Sequence, residues 1–259
     1  MNAELELVVA RYDEAVEWTR NVPASVRVTL YDKGGDLDPA RFPRATVVRL
    51  PNVGREAQTY LHHIVERWDS PVPLTVFCQG HPFDHAHDLH RVLRDLASGR
   101  SVVDGFRWLG FTIDTDDARG RRLFVGWSKN EDGRELRLDE FHRLLFGGPA
   151  PERVRFYPGG QFVVAAGRIR SRPRTFWERA RELAATFPDA AHCFERLWDR
   201  VFGVVGVDEA LLAGQDCVHL KPIRRLRAGG RRGTLRVVAP PAPASRGASR
   251  SARRRRCCR

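Results

Sequence analysis

Apolar residues fall in short continuous runs near the start of the chain and at helical spacing between them. Leu5–Ala10 (LELVVA), Val26–Tyr31 (VRVTLY), Thr46–Leu50 (TVVRL) and Leu74–Cys78 (LTVFC) are runs of five or six residues dominated by Val and Leu. Runs of that kind predict strands buried in a sheet. Ala57, Tyr60, Leu61, Ile64, Val65 and Trp68 recur every three or four positions, as do Leu89, Val92, Leu93 and Leu96. Each set predicts a helix with one buried face. Glu14–Thr19 reads as a short helix between the first two strands. Strands alternating with helices predict an α/β layer fold with a mostly parallel central sheet flanked by helices.

Beyond residue 100 the pattern is less regular. "FRWLG" reads as a strand, while "DTDDARGRR" and "SKNEDGREL" read as polar loops. Leu138–Phe146 is helical and stops at Gly-Gly-Pro. Gln161–Ala166 (QFVVAA) is a strand. Phe176, Trp177, Ala180, Leu183, Ala184 and Phe187 mark a helix that Pro188 ends. Phe194, Leu197, Trp198, Val201 and Phe202 mark one more. After residue 220 the chain turns to Arg, Gly, Pro, Ala and Ser, predicting a largely disordered tail in which "TLRVVA" offers one edge strand. The expected division is therefore an α/β domain over 1–220 and a basic tail over 221–259.

Charge sharpens that division. The net charge is +12, but 14 of the 44 Lys and Arg and none of the 32 Asp and Glu lie after residue 220. The body therefore holds 30 basic against 32 acidic residues and is nearly neutral. A nucleic-acid-binding body is disfavoured, whereas the tail suits non-specific contact with an anionic membrane or nucleic acid. No stretch approaches the roughly 20 apolar residues that span a bilayer, and the first residues lack a signal-peptide pattern. The expected location is cytoplasmic, peripheral to the inner face of the membrane if the tail engages it. Cys78, Cys193, Cys217, Cys257 and Cys258 form no Cys-x-x-Cys pair, which argues against a zinc site or a disulfide scaffold.

Ligands of open α/β sheets bind beyond the carboxyl ends of the strands. "ARYDE", "PNVGRE" and "QGHPFDH" stand at such ends. In the second, Gly54 permits a tight turn, and Asn52 either caps that turn or meets a ligand. Arg55 at a helix start suits a phosphate, and Glu56 suits the positive helix end. In the third, Asp84 either caps a helix or serves as a metal ligand or proton acceptor. His81 and His85 either join it or are ordinary packed groups. A further dense segment, "FYPGGQFVVAAGRIRSRP", carries Tyr157, Gly160 and Gln161 toward the cleft or the core. Glu195 is either a general base or the ion-pair partner of Arg196 or Arg200. No Lys-Ser/Thr phosphate loop and no Gly-x-Ser-x-Gly nucleophile turn is present.

"VVARYDE", "LPNVGREAQTYLHHI", "TVFCQGHPFDH" and "GGQFVVAAGRIRSRPRTFW" together resemble the domain-of-unknown-function family numbered 3431, across Leu5 to Phe202. The layout also resembles, more distantly, nucleotide-sugar-dependent glycosyltransferases with a single Rossmann-like (GT-A-like) domain. That resemblance implies transfer of a sugar from a nucleotide diphosphate donor to a sugar or glycolipid acceptor. It puts Arg11, Asp13, Asn52, Gly54 and Arg55 on the donor side, and Gly160, Gln161 and Glu195 on the acceptor side. Where those enzymes carry Asp-x-Asp for a divalent metal, this chain has Gln79-Gly80-His81. Mn or Mg would then fall to Asp84 with His81, and "DTDD" at Asp114–Asp117 is an alternative. The competing expectation is a non-catalytic nucleotide- or carbohydrate-binding protein on the same scaffold.

Overall fold

A computed structural model describes residues 4–121 and 135–220 of the chain. The expected disordered tail, its "TLRVVA" strand, Cys257 and Cys258 lie outside the described residues, as does most of "SKNEDGREL". Among the described residues, no helix is long and apolar enough to cross a membrane.

Four strands, β1 (Leu5–Arg11), β2 (Val26–Asp32), β3 (Ala45–Arg49) and β4 (Leu74–Gln79), pair in parallel in the order β3-β2-β1-β4. β1 is buried along its whole length because it lies between two neighbours with a packed layer on each face. Its side chains alternate, with Val8 and Ala10 in one core and Leu7 and Val9 in the other. Helix α1 (Arg55–Glu66) joins β3 to β4, and α2 (Leu89–Ala97) covers the opposite face with Leu89, Leu93 and Leu96.

The main sheet is mostly parallel, as expected, but mixed, because its far edge is antiparallel. Beyond β4 the order continues to β8 (Phe162–Ala165) and then β5 (Phe106–Trp108), and β8 runs antiparallel to both. The apolar run at 161–166 marks a buried strand but carries no information on its direction. A second, antiparallel sheet has the order β7-β6-β9, with β6 at Thr112–Asp117, β7 at Arg153–Phe156 and β9 at Cys217–His219. Asp114–Asp117 is therefore strand rather than the expected loop. Asp114 and Asp116 are 2% exposed, and Arg196 Nε donates to Asp116 at 2.8 Å. Supplying that cation across the fold is what lets a carboxylate-rich run enter a core.

Helix α3 (Leu138–Phe146) ends at Gly147, whose φ of +82° fits a left-handed stop. A short helix α4 (Ala166–Arg170) follows β8 directly. α5 (Arg174–Thr186) and α6 (Ala190–Val201) pack beside α1 on one face, with Trp177, Phe194, Trp198 and Phe202 fully enclosed. The links β1–β2 and β2–β3 hold only single 3-10 turns, Glu17–Asn21 and Pro39–Arg41, where a helix was expected at 14–19.

Candidate functional site

The carboxyl ends of β1, β2 and β4 meet the start of α1 around a cleft of about 280 Å3, lined by Ala10, Arg11, Tyr12, Glu14, Lys33, Asn52, Arg55, Glu56 and Gln79. Its floor is a charge network. Arg11 Nη1 donates to Asp32 Oδ1 and to Asp36 Oδ1, both at 2.6 Å, and its Nε donates to the Glu14 carbonyl. Asp32 is fully buried and also accepts the backbone N–H groups of Gly34 and Leu37. Arg11 therefore folds the loop after β2 under the cleft, with its charge already engaged by two carboxylates. Gly34 lies so close to β1 that a Cβ there would stand 2.0 Å from the Tyr12 carbonyl oxygen.

Lys33 is the residue that the sequence reading passed over. It is buried, and its Nζ donates to the carbonyls of Val53 (2.5 Å) and Arg55 (2.6 Å). Burial pulls its pKa down to about 8, and the nearby Glu56 carboxylate partly opposes that fall. The only local signal was "DKGG" at a strand end, which reads as a turn. Gly54 and Arg55 both take left-handed φ, +62° and +50°. A Cβ on Gly54 would stand 2.2 Å from the Ala184 carbonyl of α5, so its absent side chain serves packing.

At the mouth, α1 and α6 bring four polar side chains together. Arg55 Nη1 lies 3.1 Å from His192 Nε2, and its Nε lies 3.8 Å from Glu56 Oε2. His192 Nδ1 stands 3.9 Å from Glu195 Oε2, beyond hydrogen-bond length. Glu195 Oε1 accepts the Gly159 N–H at 2.6 Å, and Oε2 accepts from Arg196 Nη1 at 3.2 Å. Shielding from water pushes the Glu195 pKa up, but His192, Arg196 and the Gly159 N–H outweigh it and hold the carboxylate at about 2. Glu56 goes the other way. Burial raises its pKa, Arg55 moderates the rise, and the negative Glu195 adds to it. The i, i+3 spacing of His192 and Glu195 in one helix was the signal that could have singled out His192.

The remaining expected residues separate into groups. Asn52 is exposed and Gln79 half-buried, and both line the cleft. Asp13 is exposed outside the lining set. Gln161, expected among the ligand-binding residues, is fully buried and donates through Nε2 to the Pro82 carbonyl at 3.0 Å. Tyr157 stacks on Trp108, with ring centroids 5.9 Å apart. Gly159 carries the His85 ring where a side chain would be, and Gly160, at φ +58°, passes beside the Trp198 indole. His85 thus packs on the turn that Glu195 holds. Asp84 and His81 stand at the surface, 80% and 56% exposed, with 3.7 Å between Asp84 Oδ1 and His81 Nε2. Among the described residues no group of three or more His, Cys, Asp or Glu side chains is placed to hold a metal ion. A lone exposed carboxylate and imidazole do not fit a resident divalent cation, which takes more oxygen ligands than this.

A family model described as "Protein of unknown function (DUF3431)" matches residues 7–218. No curated protein matches the chain. Among solved structures, the chain is similar to CMP:2-keto-3-deoxy-manno-octonic acid synthetase complexed with CTP. The identity is 12% and the TM-score 0.32, over 82% of this chain and 95% of that one. A likeness of that size carries no information on chemistry.

Proposed function

We propose, from the premise that the chain belongs to the DUF3431 family, that its carboxyl-rim cleft binds the diphosphate of a nucleotide sugar and that the protein transfers the sugar to an acceptor hydroxyl of a sugar or glycolipid. The observation that carries this reading is one cleft in which two cations, Lys33 and Arg55, stand beside a carboxylate, Glu56, whose pKa is raised. Sugar transfer asks for that combination. As the bond from the anomeric carbon to the phosphate oxygen breaks, its electron pair leaves on the diphosphate. Lys33 and Arg55 would stabilise the charge that develops there. The acceptor oxygen forms the new bond to carbon, and its proton passes to Glu56, whose raised pKa makes it a stronger base than an ordinary carboxylate. Glu195, held ionised, anchors the Gly159 turn and faces His192 rather than acting as the base.

Calorimetric titration with uridine, guanosine and cytidine diphosphates, with and without manganese, tests the binding step. The expected result is saturable binding without added metal, weakened at least tenfold by Arg55→Ala at unchanged Tm. Absence of binding to every nucleoside diphosphate, or wild-type affinity in Arg55→Ala, would sink the reading.

A second reading, binding without turnover, has its own support. β4 ends in Gln79-Gly80-His81, and the Glu14 carboxylate closes over Gly80 where a Cβ would stand 2.6 Å from Glu14 Oε2. Nucleotide bound but never released from its sugar, with acceptors of varied class supplied, would favour that reading.

A further inference from the structure

The opposite rim of the sheet carries a second cavity unrelated to the cleft. Because β2 and β3 are joined by a loop with one 3-10 turn instead of a helix, the sheet face that bears Val28 and Ala45 lacks full cover. Phe42 fills part of that space and leaves a pocket of about 310 Å3. Val28, Phe42, Pro43 and Ala45 supply its apolar wall, and Arg20, Arg41 and Arg44 its rim. No acidic side chain lines it. Each guanidinium is anchored by a nitrogen on one side. Arg20 Nη2 donates to the Arg41 carbonyl at 3.0 Å and the group lies 5.2 Å from the Phe42 ring centroid. Arg41 Nη2 donates to Glu17, and Arg44 Nη2 to the Val22 carbonyl at 3.3 Å. Val28 precedes Lys33 by five residues along one extended segment, which separates this pocket from the nucleotide cleft by about 16 Å at strand rise.

An apolar hollow with an all-arginine rim matches an apolar chain with an anionic head. The hollow is too small for a docked helix, whose diameter is about 10–12 Å, and suits a single alkyl chain. Arg41 is engaged by the Glu17 carboxylate, and Arg20 and Arg44, bonded only to backbone carbonyls, offer paired donors to a ligand carboxylate. We propose that this pocket binds one medium-chain fatty acid, its alkyl chain against Val28, Phe42 and Ala45 and its carboxylate at Arg20 and Arg44. Burial of the methylene groups contributes most of the affinity, and the arginines select for charge.

The test is titration of the full chain with decanoate, with decyl glucoside as the same chain on a neutral head, and with phosphatidylglycerol vesicles. Saturable one-to-one decanoate binding is expected, at least tenfold tighter than decyl glucoside. The double variant Arg20→Gln/Arg44→Gln should lose that preference. Ala45→Leu, which fills the pocket, should abolish binding of both amphiphiles while circular dichroism and nucleotide binding stay unchanged. Equal affinity for the neutral amphiphile, decanoate binding that survives Ala45→Leu, absence of decanoate binding, or binding only to vesicles would each overturn the proposal.

Discussion

Glu56 lines the cleft and feels the charge of Glu195, and the fold treats the two carboxylates oppositely. Both are shielded from water, so both lose hydration as anions. Glu195 is compensated by Arg196, His192 and an N–H group, whereas at Glu56 burial outweighs the help of Arg55, a backbone N–H and His192, and the negative charge of Glu195 adds to the rise. The consequence for stability has opposite signs. Glu195 titrates at about 2 in the folded protein and near 4.3 when unfolded. It therefore stabilises the fold above that unfolded value, and the contribution is lost as pH falls toward 2. The full contribution is on the order of 1–3 kcal/mol. Glu195→Gln should flatten the acid limb of a Tm-against-pH curve between pH 5 and 2, and an unchanged limb would refute the assignment. Glu56, with its raised folded pKa, favours the fold at low pH and opposes it once ionised. Glu56→Gln should raise Tm at pH 7 while abolishing sugar transfer. A lower Tm would show that its charge stabilises the fold. The rise at Glu56 was not visible in the sequence, because part of it comes from Glu195 on a distant helix, whereas Glu195 draws on its own helix neighbours and on the Gly159 N–H.

At the scale of elements, the approach of α1 to α5 decides how the cleft is assembled. Gly54 stands where α1 begins, at φ +62°, against the Ala184 carbonyl. Gly54→Ala would impose both a left-handed L-residue and a backbone clash, at a combined cost of about 2–4 kcal/mol. Chemical denaturation should register that loss, and a variant as stable as the wild type would mean that α5 is not held there. The start of α1 was legible in the motif Asn-x-Gly-Arg, since a glycine before a helical pattern marks a turn. Its tertiary reason was not legible, because Ala184 is apolar and unremarkable in sequence. Gln161 is a second case: its place beside two glycines left cleft and core both open, and only the tertiary structure seats its buried Nε2 on the Pro82 carbonyl.

At the scale of the whole molecule, charge is segregated along the chain, with a nearly neutral body before an arginine-rich tail. Removing residues 221–259 should leave the unfolding transition of the remainder unchanged and abolish salt-sensitive binding to anionic vesicles or to nucleic acid. Retention of that binding at low salt would relocate it to the body. The two proposed ligand sites predict independent behaviour, because they occupy opposite rims of one sheet. Nucleotide affinity should therefore be the same with and without decanoate.

Local physics sufficed for the parallel strands β1 to β4 and for α1, α2 and the three long later helices. Apolar spacing reports the burial of an element wherever that element ends up. Tertiary structure alone decided the reversed strand β8, the second sheet around Asp114 and Asp116, the burial of Lys33 and the meeting of Arg55 with His192. Direction, the partner of a buried charge and the proximity of two helix ends depend on which distant segments pack together, and no short window of sequence holds that information.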